Sequence, residues 1–459
     1  MQSPSILKEI IRLGWPVFVA QIAVMANGFI DTVMAGRYST VDLAAVGVGA
    51  SIYMSVFVAM MGVLLALGPT VSQLYGAKRY AEVGEEVRQS TWLAIALAIA
   101  CLAALRYPDP FLALTQLEPQ VEERVRAYLG AVAWGVPAML LFRIFYGFST
   151  AVSKPRVIML LNLAGMLLKV PLNAVFMYGH FGLPEMGGVG CGVSTALISW
   201  FILLAAAFWC YADRDYARYG LFERWSWPNA RRIGHLLSLG IPIGATFFVD
   251  VTGFTFMALF IARLGPTHSA AHQIAGNFAA ILYMLPLAVG NAASVLVGHA
   301  IGARDFARAR ATGILGIAVA FACACGIALM LFFNTRALAG LYTSDPQVVS
   351  LASVLLGLVA GYHLFDSIQA VAVNVLRGYK RAVVPMVIYA VALWGVGLGG
   401  GYVLGLTPVI DLSWLGLATP LGARGFWSAA IGSLFLAGFT VAGYFLYISR
   451  QAIREAGNR

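Results

Sequence analysis

Twelve stretches of roughly twenty mostly apolar residues dominate this chain. A stretch of that length matches the hydrocarbon core of a bilayer, about 30 Å thick. They cover 13–36, 44–70, 90–106, 127–149, 157–178 and 188–211, then 238–263, 270–298, 311–334, 350–374, 383–406 and 424–448. Inside lipid every backbone amide must find its partner within the protein, so each stretch is expected to be a helix. Composition points the same way: 11% of the 459 residues are charged and 60% hydrophobic, whereas soluble domains carry about 25% charged residues. The expected fold class is an all-α polytopic membrane protein with twelve transmembrane helices. Met1 to Arg12 run into the first stretch with no small-residue cleavage site, so that stretch is read as a retained span.

The positions of the basic residues set the orientation. Lys8 and Arg12 precede the first stretch, and Lys78, Arg79 and Arg88 follow the second. Lys154 and Arg156 follow the fourth, and Arg214, Arg218, Arg224, Arg231 and Arg232 follow the sixth. Arg304, Arg308 and Arg310 follow the eighth, Arg377, Lys380 and Arg381 the tenth, and Arg450, Arg454 and Arg459 close the chain. The remaining loops hold far fewer. By the positive-inside rule both termini and the even-numbered loops are expected to be cytoplasmic. The net charge of +10 is thereby explained without a nucleic-acid partner. The five cysteines fall in or beside apolar stretches with no metal-ligand spacing, which is a packing role.

The sequence also repeats. Leu13-Gly14-Trp15-Pro16 returns as Leu239-Gly240-Ile241-Pro242, an offset of 239 − 13 = 226. Gly76-Ala77-Lys78-Arg79 returns as Gly302-Ala303-Arg304-Asp305, and Lys154 as Lys380, both again at 226. The chain therefore reads as two homologous six-helix bundles, 1–211 and 238–459, joined by a cytoplasmic linker at 212–237. A parallel repeat implies a pseudo-twofold axis along the membrane normal and a central cavity between the halves, an arrangement suited to alternating access.

Few ionisable groups lie inside the spans, and such groups are functional candidates because burying them in lipid is expensive. Asp250 in the seventh span shares a helical face with Thr246 and Phe254, four residues to either side. A carboxylate beside an aromatic ring suits an organic cation, through charge and cation–π attraction; it also suits a metal ion or a proton. Asp366 in the tenth span sits on a polar stripe with His363 and Gln369. Its expected partner is the site around Asp250, and two carboxylates sharing a dry pocket favour uptake of a proton or Na⁺. Asp250 and Asp366 are accordingly the candidate Na⁺ ligands. In the first half, Asp31 is expected to contact Lys169, either as a structural ion pair or as a site where the ammonium stands in for a coupling cation. Arg143 is expected to snorkel to the interface. His272, Gln273, Asn277 and Tyr283 are candidate cavity-lining residues. The run Gly397 to Gly401 is expected to serve helix bending or close packing.

At these residues the chain resembles the NorM-like branch of the multidrug and toxic compound extrusion (MATE) family. The likeness is carried by FIDTVMAG (29–36), QLYGAKR (73–79), KPRVIM (154–159), VPLNAVFMYG (170–179) and GGVGCG (187–192). It continues in ILYMLPLAVG (281–290), DPQVVSLAS (345–353) and LRGYK (376–380). The resemblance implies two six-helix bundles in a bacterial inner membrane and export of hydrophobic or aromatic cations driven by Na⁺ or H⁺. It carries the acidic membrane positions to Asp31, Asp250 and Asp366, the aromatic ones to Phe254 and Tyr283, and a loop acid associated with drug binding to Asp345. Two departures stand out: Asp250 where the family usually has Glu, and Lys169 with Asn173 where it often has two Asn. A cation fixed at Lys169 places any sodium site around Asp250 and Asp366 instead.

The expected function is multidrug efflux by antiport, with cationic drugs and dyes as partners, membrane lipid as solvent, and a monomeric chain. No cofactor beyond the coupling ion is expected. A lipid-linked oligosaccharide flippase of the same superfamily is the alternative; it tends to have a basic cavity, which three membrane Asp against Lys169 and Arg143 disfavour. A membrane-embedded enzyme needs a nucleophile–base pair or a metal cluster. None is visible in the sequence, nor is an ATP-binding motif, so an enzyme is not expected.

Overall fold

A computed structural model of the chain describes residues 5–113, 117–223, 225–409 and 420–458; Arg224 and Arg459, counted above among the basic residues, lie outside them. Eleven helices are long and apolar enough to span a bilayer, and a pair bent by 46° supplies the twelfth. They are α1 (Ile6–Tyr38), α2 (Thr40–Gly76), α3 (Tyr80–Arg106), the bent α4 (Pro119–Ala133 with Val136–Ala151), α5 (Pro155–Tyr178) and α6 (Val189–Ala212). The second series is α7 (Ala230–Ala262), α8 (Pro266–Gly302), α9 (Phe306–Gly340), α10 (Pro346–Gly378), α11 (Val383–Leu406) and α12 (Ala423–Gly457). Several outrun the apolar stretch that announces them. α7 starts at Ala230, eight residues before 238, and α10 continues to Gly378, four beyond 374.

The chain divides into two compact units, Trp15–Gly244 and Met1–Gly14 with Ala245–Arg459. The divisions fall inside α1 and α7, within the first copy of the Leu-Gly-x-Pro motif and just after the second. Each motif glycine meets a helix of the unit it packs in. A Cβ on Gly240 would lie 2.3 Å from the Val63 carbonyl oxygen, whereas one on Gly14 would stand 3.6 Å from the Ala288 oxygen. The motif thus recurs because the same helix approach recurs, closer in the second copy.

The ends of four helices repeat as well. Lys78 and Arg304 both take the left-handed conformation, with φ of 58° and 61°. The flanking bonds match: Arg79 N donates to the Leu74 oxygen and Asp305 N to the Ala300 oxygen, the six-to-one bond that closes a helix at its C-terminus. Ser153 and Lys380 share this turn at φ 64° and 56°, with Lys154 N on the Ser149 oxygen and Arg381 N on the Leu376 oxygen. In the α4 and α10 turns the geometry therefore equates Lys154 with Arg381, an offset of 381 − 154 = 227. The sequence match of Lys154 to Lys380 is one residue out of register.

In the unit Trp15–Gly244, α3 holds the connecting segment after α6. Arg88 donates to the Gly220 oxygen at 2.6 Å and to Ser226 Oγ at 2.8 Å, while Gln89 donates to the Trp227 oxygen at 2.9 Å. Lys154 binds Asp213 and Asp215, each at 2.8 Å, and its hydrogen bond holds the Asp213 carboxyl below the ordinary aspartate value. In the other unit α10 packs against α8, α9 and α12 and is buried continuously from Asp366 to Gly378. α11 is wound as a π-helix over Val391–Gly399, and the glycine run that overlaps its end packs closely: a Cβ on Gly401 would sit 2.6 Å from the Phe426 ring.

The two motif glycines generate opposite expectations. Gly240→Ala presses a methyl onto an immovable backbone oxygen and is expected to lower stability by about 1–3 kcal/mol. Gly14→Ala has ordinary room and improves helix propensity, so it is expected to be neutral or stabilising by up to about 1 kcal/mol. Thermal unfolding of the purified variants in detergent distinguishes them, and equal shifts would contradict the packing described.

Candidate functional site

Each unit carries one group of buried ionisable side chains, and the two groups are built on different principles. In the unit Trp15–Gly244 the group centres on Asp31 of α1. Lys169 of α5, 1% exposed, places Nζ 2.9 Å from Asp31 Oδ1. The same ammonium donates to the Cys191 carbonyl at 3.2 Å, to Ser194 Oγ at 3.3 Å and to Thr195 Oγ1. Asn173, one turn after Lys169 on α5, donates to Asp31 Oδ1 at 2.7 Å and accepts from the Ser194 hydroxyl. A carboxylate, a carbonyl and two hydroxyls therefore surround one tethered cation, which is how a buried charge is made tolerable.

In the other unit the carboxylates open onto a cavity of about 230 Å³. Asp250 and Thr246 face it from α7, Tyr283 from α8, Asp366 and Gln369 from α10, and Tyr389 from α11. Tyr389 Oη donates to Asp250 Oδ1 at 2.5 Å. Among the described residues neither Asp250 nor Asp366 has a basic side chain within ion-pair distance. Phe254 lines the cavity too, and packs edge-on against Tyr362 and the fully buried Trp427, with ring centroids 6.4 and 6.5 Å away. The face of Asp250, Thr246 and Phe254 and the residues Asp366, Gln369 and Tyr283 thus line one space.

Other residues singled out in the sequence go elsewhere. His363 is buried off the cavity wall, and His272 packs against Trp427 with ring centroids 5.9 Å apart. Gln273 faces Asn277 at 3.5 Å on an exposed surface. Asp345 is the N-cap of α10, accepting from Gln347 N at 2.9 Å, and does not line this cavity. The Arg143 guanidinium lies 4.9 Å over the Tyr146 ring and 2.7 Å from Met61 Sδ. Tyr389 and Arg377 are among the cavity residues that were not anticipated. Tyr389 stands in an apolar segment with nothing to mark it. Arg377 reads from the sequence as a loop charge, yet it is 8% exposed near the end of α10 and lines the cavity. Among the described residues no group of three or more His, Cys, Asp or Glu could hold a metal ion.

Comparison with known proteins agrees with the repeat. The family model described as MatE matches twice, over residues 16–175 and 242–403, starts separated by 242 − 16 = 226. The chain is 39% identical over 429 residues to a probable multidrug resistance protein NorM of Aromatoleum aromaticum, covering 92% of this chain and 90% of that one. It is 37% identical to the multidrug resistance protein PmpM of Pseudomonas aeruginosa, covering 98% of this chain and 93% of that protein. Among solved structures it is similar to the MATE transporter NorM-NG in complex with a dye and a monobody, at TM-score 0.80 and 33% identity, covering 96% of this chain and 94% of that one.

The ion pair in the first group supplies a direct test. Lys169→Ala leaves the Asp31 carboxylate buried without its cation and is expected to destabilise the protein by about 3–5 kcal/mol. Adding Asp31→Asn removes the orphaned charge and is expected to restore much of that loss. A double-mutant cycle read by thermal unfolding in detergent checks it; additive losses would show that the two side chains do not couple.

Proposed function

The chain belongs to the MatE family of transporters, and on that premise we propose that it is a multidrug efflux antiporter exporting hydrophobic or aromatic organic cations in exchange for Na⁺ or H⁺. The observation that carries the reading is the placement of Asp250 and Asp366 on one aromatic-walled cavity with no basic partner at ion-pair distance among the described residues. Two carboxylates so placed hold more negative charge than the site can keep when empty. A proton, a sodium ion or a flat organic cation relieves the same repulsion, so they compete for it. Competition of that kind is the physical basis of exchange: loading with one ligand favours release of the other. Phe254 and Tyr283 supply ring faces for a substrate cation, and a wall of rings discriminates weakly among flat ligands.

In this reading Asp31 takes no mobile cation, because the Lys169 ammonium already occupies its oxygen ligands. Coupling therefore runs through Asp250 and Asp366. The chain is placed in a bacterial inner membrane with both termini cytoplasmic. The left-handed turns that close α2, α8 and α10 support this orientation, since they present Lys78, Arg304 and Lys380 on the loops that the positive-inside rule assigns to that side.

The test is ethidium efflux in everted vesicles, driven by an imposed sodium gradient in one arm and an imposed pH gradient in the other. Asp250→Asn and Asp366→Asn are each expected to reduce the gradient-driven rate at least about tenfold, the scale of one lost charge interaction. Wild-type rates in both variants, under both gradients, would remove the mechanism.

A further inference from the structure

The segment that joins α6 to α7 is fastened along α3. Besides the bonds of Arg88 and Gln89 described above, Trp92 Nε1 donates to the Ser226 oxygen at 2.9 Å, Asn229 N donates to Gln89 Oε1 at 2.7 Å, and Arg232 pairs with Glu86 at 2.7 Å. A backbone held in this way is a strap, yet its largest side chains are left uncovered: Trp225 and Trp227 are 73% and 76% exposed. The Trp225 ring stands edge-on to both Trp92 and Trp227, with centroids 5.5 and 6.3 Å away, so the indoles form one ordered ledge. Each such ring can bury roughly 150–250 Å², and most of that surface is unused here. The level of the ledge identifies what covers it. Trp92 is the third residue of the apolar stretch 90–106, and the strap runs between the stretches that end at 211 and begin at 238. The ledge therefore lies where hydrocarbon gives way to headgroups, the layer in which tryptophan concentrates.

Charge narrows the occupant further. Over 218–235 the sequence holds Arg218, Arg224, Arg231 and Arg232 against Glu223. Arg232 is taken by Glu86 and Arg88 by Glu85, while Arg218 lies over the Tyr80 and Tyr219 rings. Arg231, four residues after Trp227, is exposed. Among the described residues it has no carboxylate within ion-pair distance. Asn229 Oδ1 accepts from the backbone N of Arg231 and of Arg232 at 3.0 and 3.2 Å. These opening amides of α7 are already capped, which leaves the Arg231 guanidinium as the group that meets a ligand.

We propose that Trp225, Trp227 and Arg231 form a binding site for an anionic phospholipid. The indoles enter the top of the acyl layer, and the planar guanidinium takes the headgroup phosphate through parallel N–H bonds. The rings accept any phospholipid. Selectivity comes from Arg231: one basic group at the surface gives a preference of about fivefold for a headgroup of net negative charge over a zwitterionic one. The site is separate from the cavity and goes beyond the efflux reading, since it needs only the membrane. Through the strap the chain passes from the stretches of 13–211 to those of 238–448. A lipid seated on the ledge braces this passage, because the bonds to Gln89 and Glu86 tie α3 to the first turn of α7.

Brominated lipids quench tryptophan on contact and so test this. The full-length protein in neutral detergent is titrated with phosphatidylglycerol or with phosphatidylcholine, each brominated near the headgroup end of its acyl chains. The chain has ten tryptophans, so the share of the two rings is read as the difference between the wild type and Trp225→Phe/Trp227→Phe. That difference is expected to reach half its maximum at about fivefold less phosphatidylglycerol than phosphatidylcholine. In an Arg231→Gln background it is expected to persist with the two lipids equal to within about twofold, whereas Arg231→Lys, which keeps the charge, retains at least about a threefold preference. Rings that neither lipid quenches, equal half-points in the wild type, or a preference untouched by Arg231→Gln would each overturn the proposal. The efflux reading uses none of these residues and would stand. If the double variant fails to fold, Trp227→Phe alone supplies the difference.

Discussion

A charge removed from water must be compensated, and in a chain that offers lipid to most of its surface only the chain itself or a cavity can do so. Asp31 is compensated internally, by an ammonium, an amide and the oxygens behind them. Asp250 receives one hydroxyl, from Tyr389, and Asp366 receives the cavity. The helix scaffold is common to both units, but the charges are not. The repeat partner of Asp31 is Met257 (31 + 226), that of Asp250 is Val24 (250 − 226) and that of Asp366, at the α4–α10 offset of 227, is Met139 (366 − 227). Duplication supplied the frame, and the ionisable groups belong to each copy separately.

The frame itself depends on backbone features more than on side chains. Helices that approach to a carbonyl oxygen, as at Gly240, need a residue without a Cβ. Helix ends that reverse within a residue need a left-handed conformation. Here Lys78, Ser153, Arg304 and Lys380 adopt it despite a strain of about 1–2 kcal/mol that glycine would avoid. Three of the four are cationic and stand at helix C-termini, where the aligned peptide dipoles favour positive charge. The same residues that mark orientation in the sequence therefore also terminate the helices.

The number of spans and the duplication were legible because both are written in features that survive without tertiary information: lengths of apolar runs and motifs at constant spacing. The meeting of Asp250, Thr246 and Phe254 with Asp366 and Tyr283 was legible for a related reason, since polar groups in a span must face something other than lipid. What periodicity cannot supply is how far a helix continues past its apolar stretch, or which way a long side chain turns. α10 runs to Gly378, so Arg377 is a buried helical residue rather than a loop charge. Tyr389 is one tyrosine among 19, and only the packing of α11 brings it to Asp250. His363 shares a polar stripe with Asp366 and Gln369, yet only the latter two line the cavity, and helical spacing alone does not distinguish His363 from Gln369, since each stands three positions from Asp366. Asp345 looked like a loop acid because a cap and a ligand-binding acid share one composition, a carboxylate just before a helix.

The departures from local rules fall together. Well-satisfied buried polar groups rigidify a core, and under-satisfied ones are tolerated in native proteins chiefly where function uses them. The Lys169 cluster is of the first kind and adds order to its unit. The cavity of Asp250, Asp366 and Arg377 is of the second kind: three ionisable groups share it, and the charged partners lie on α7 and α10 without reaching one another. Beside it, α11 leaves regular α-helical winding at Val391, two residues after Tyr389, and π-helical segments recur at functional sites. A space of about 230 Å³ is smaller than the roughly 300–1,000 Å³ of drug-sized pockets. On the efflux reading a large substrate needs α7, α10 and α11 to separate, and at this point they are held by two hydrogen bonds, Tyr389 to Asp250 and Trp394 Nε1 to the Val249 oxygen, and by aromatic contacts rather than ion pairs. The arrangement that leaves the charges available to a ligand is the same one that leaves the cavity able to widen around it.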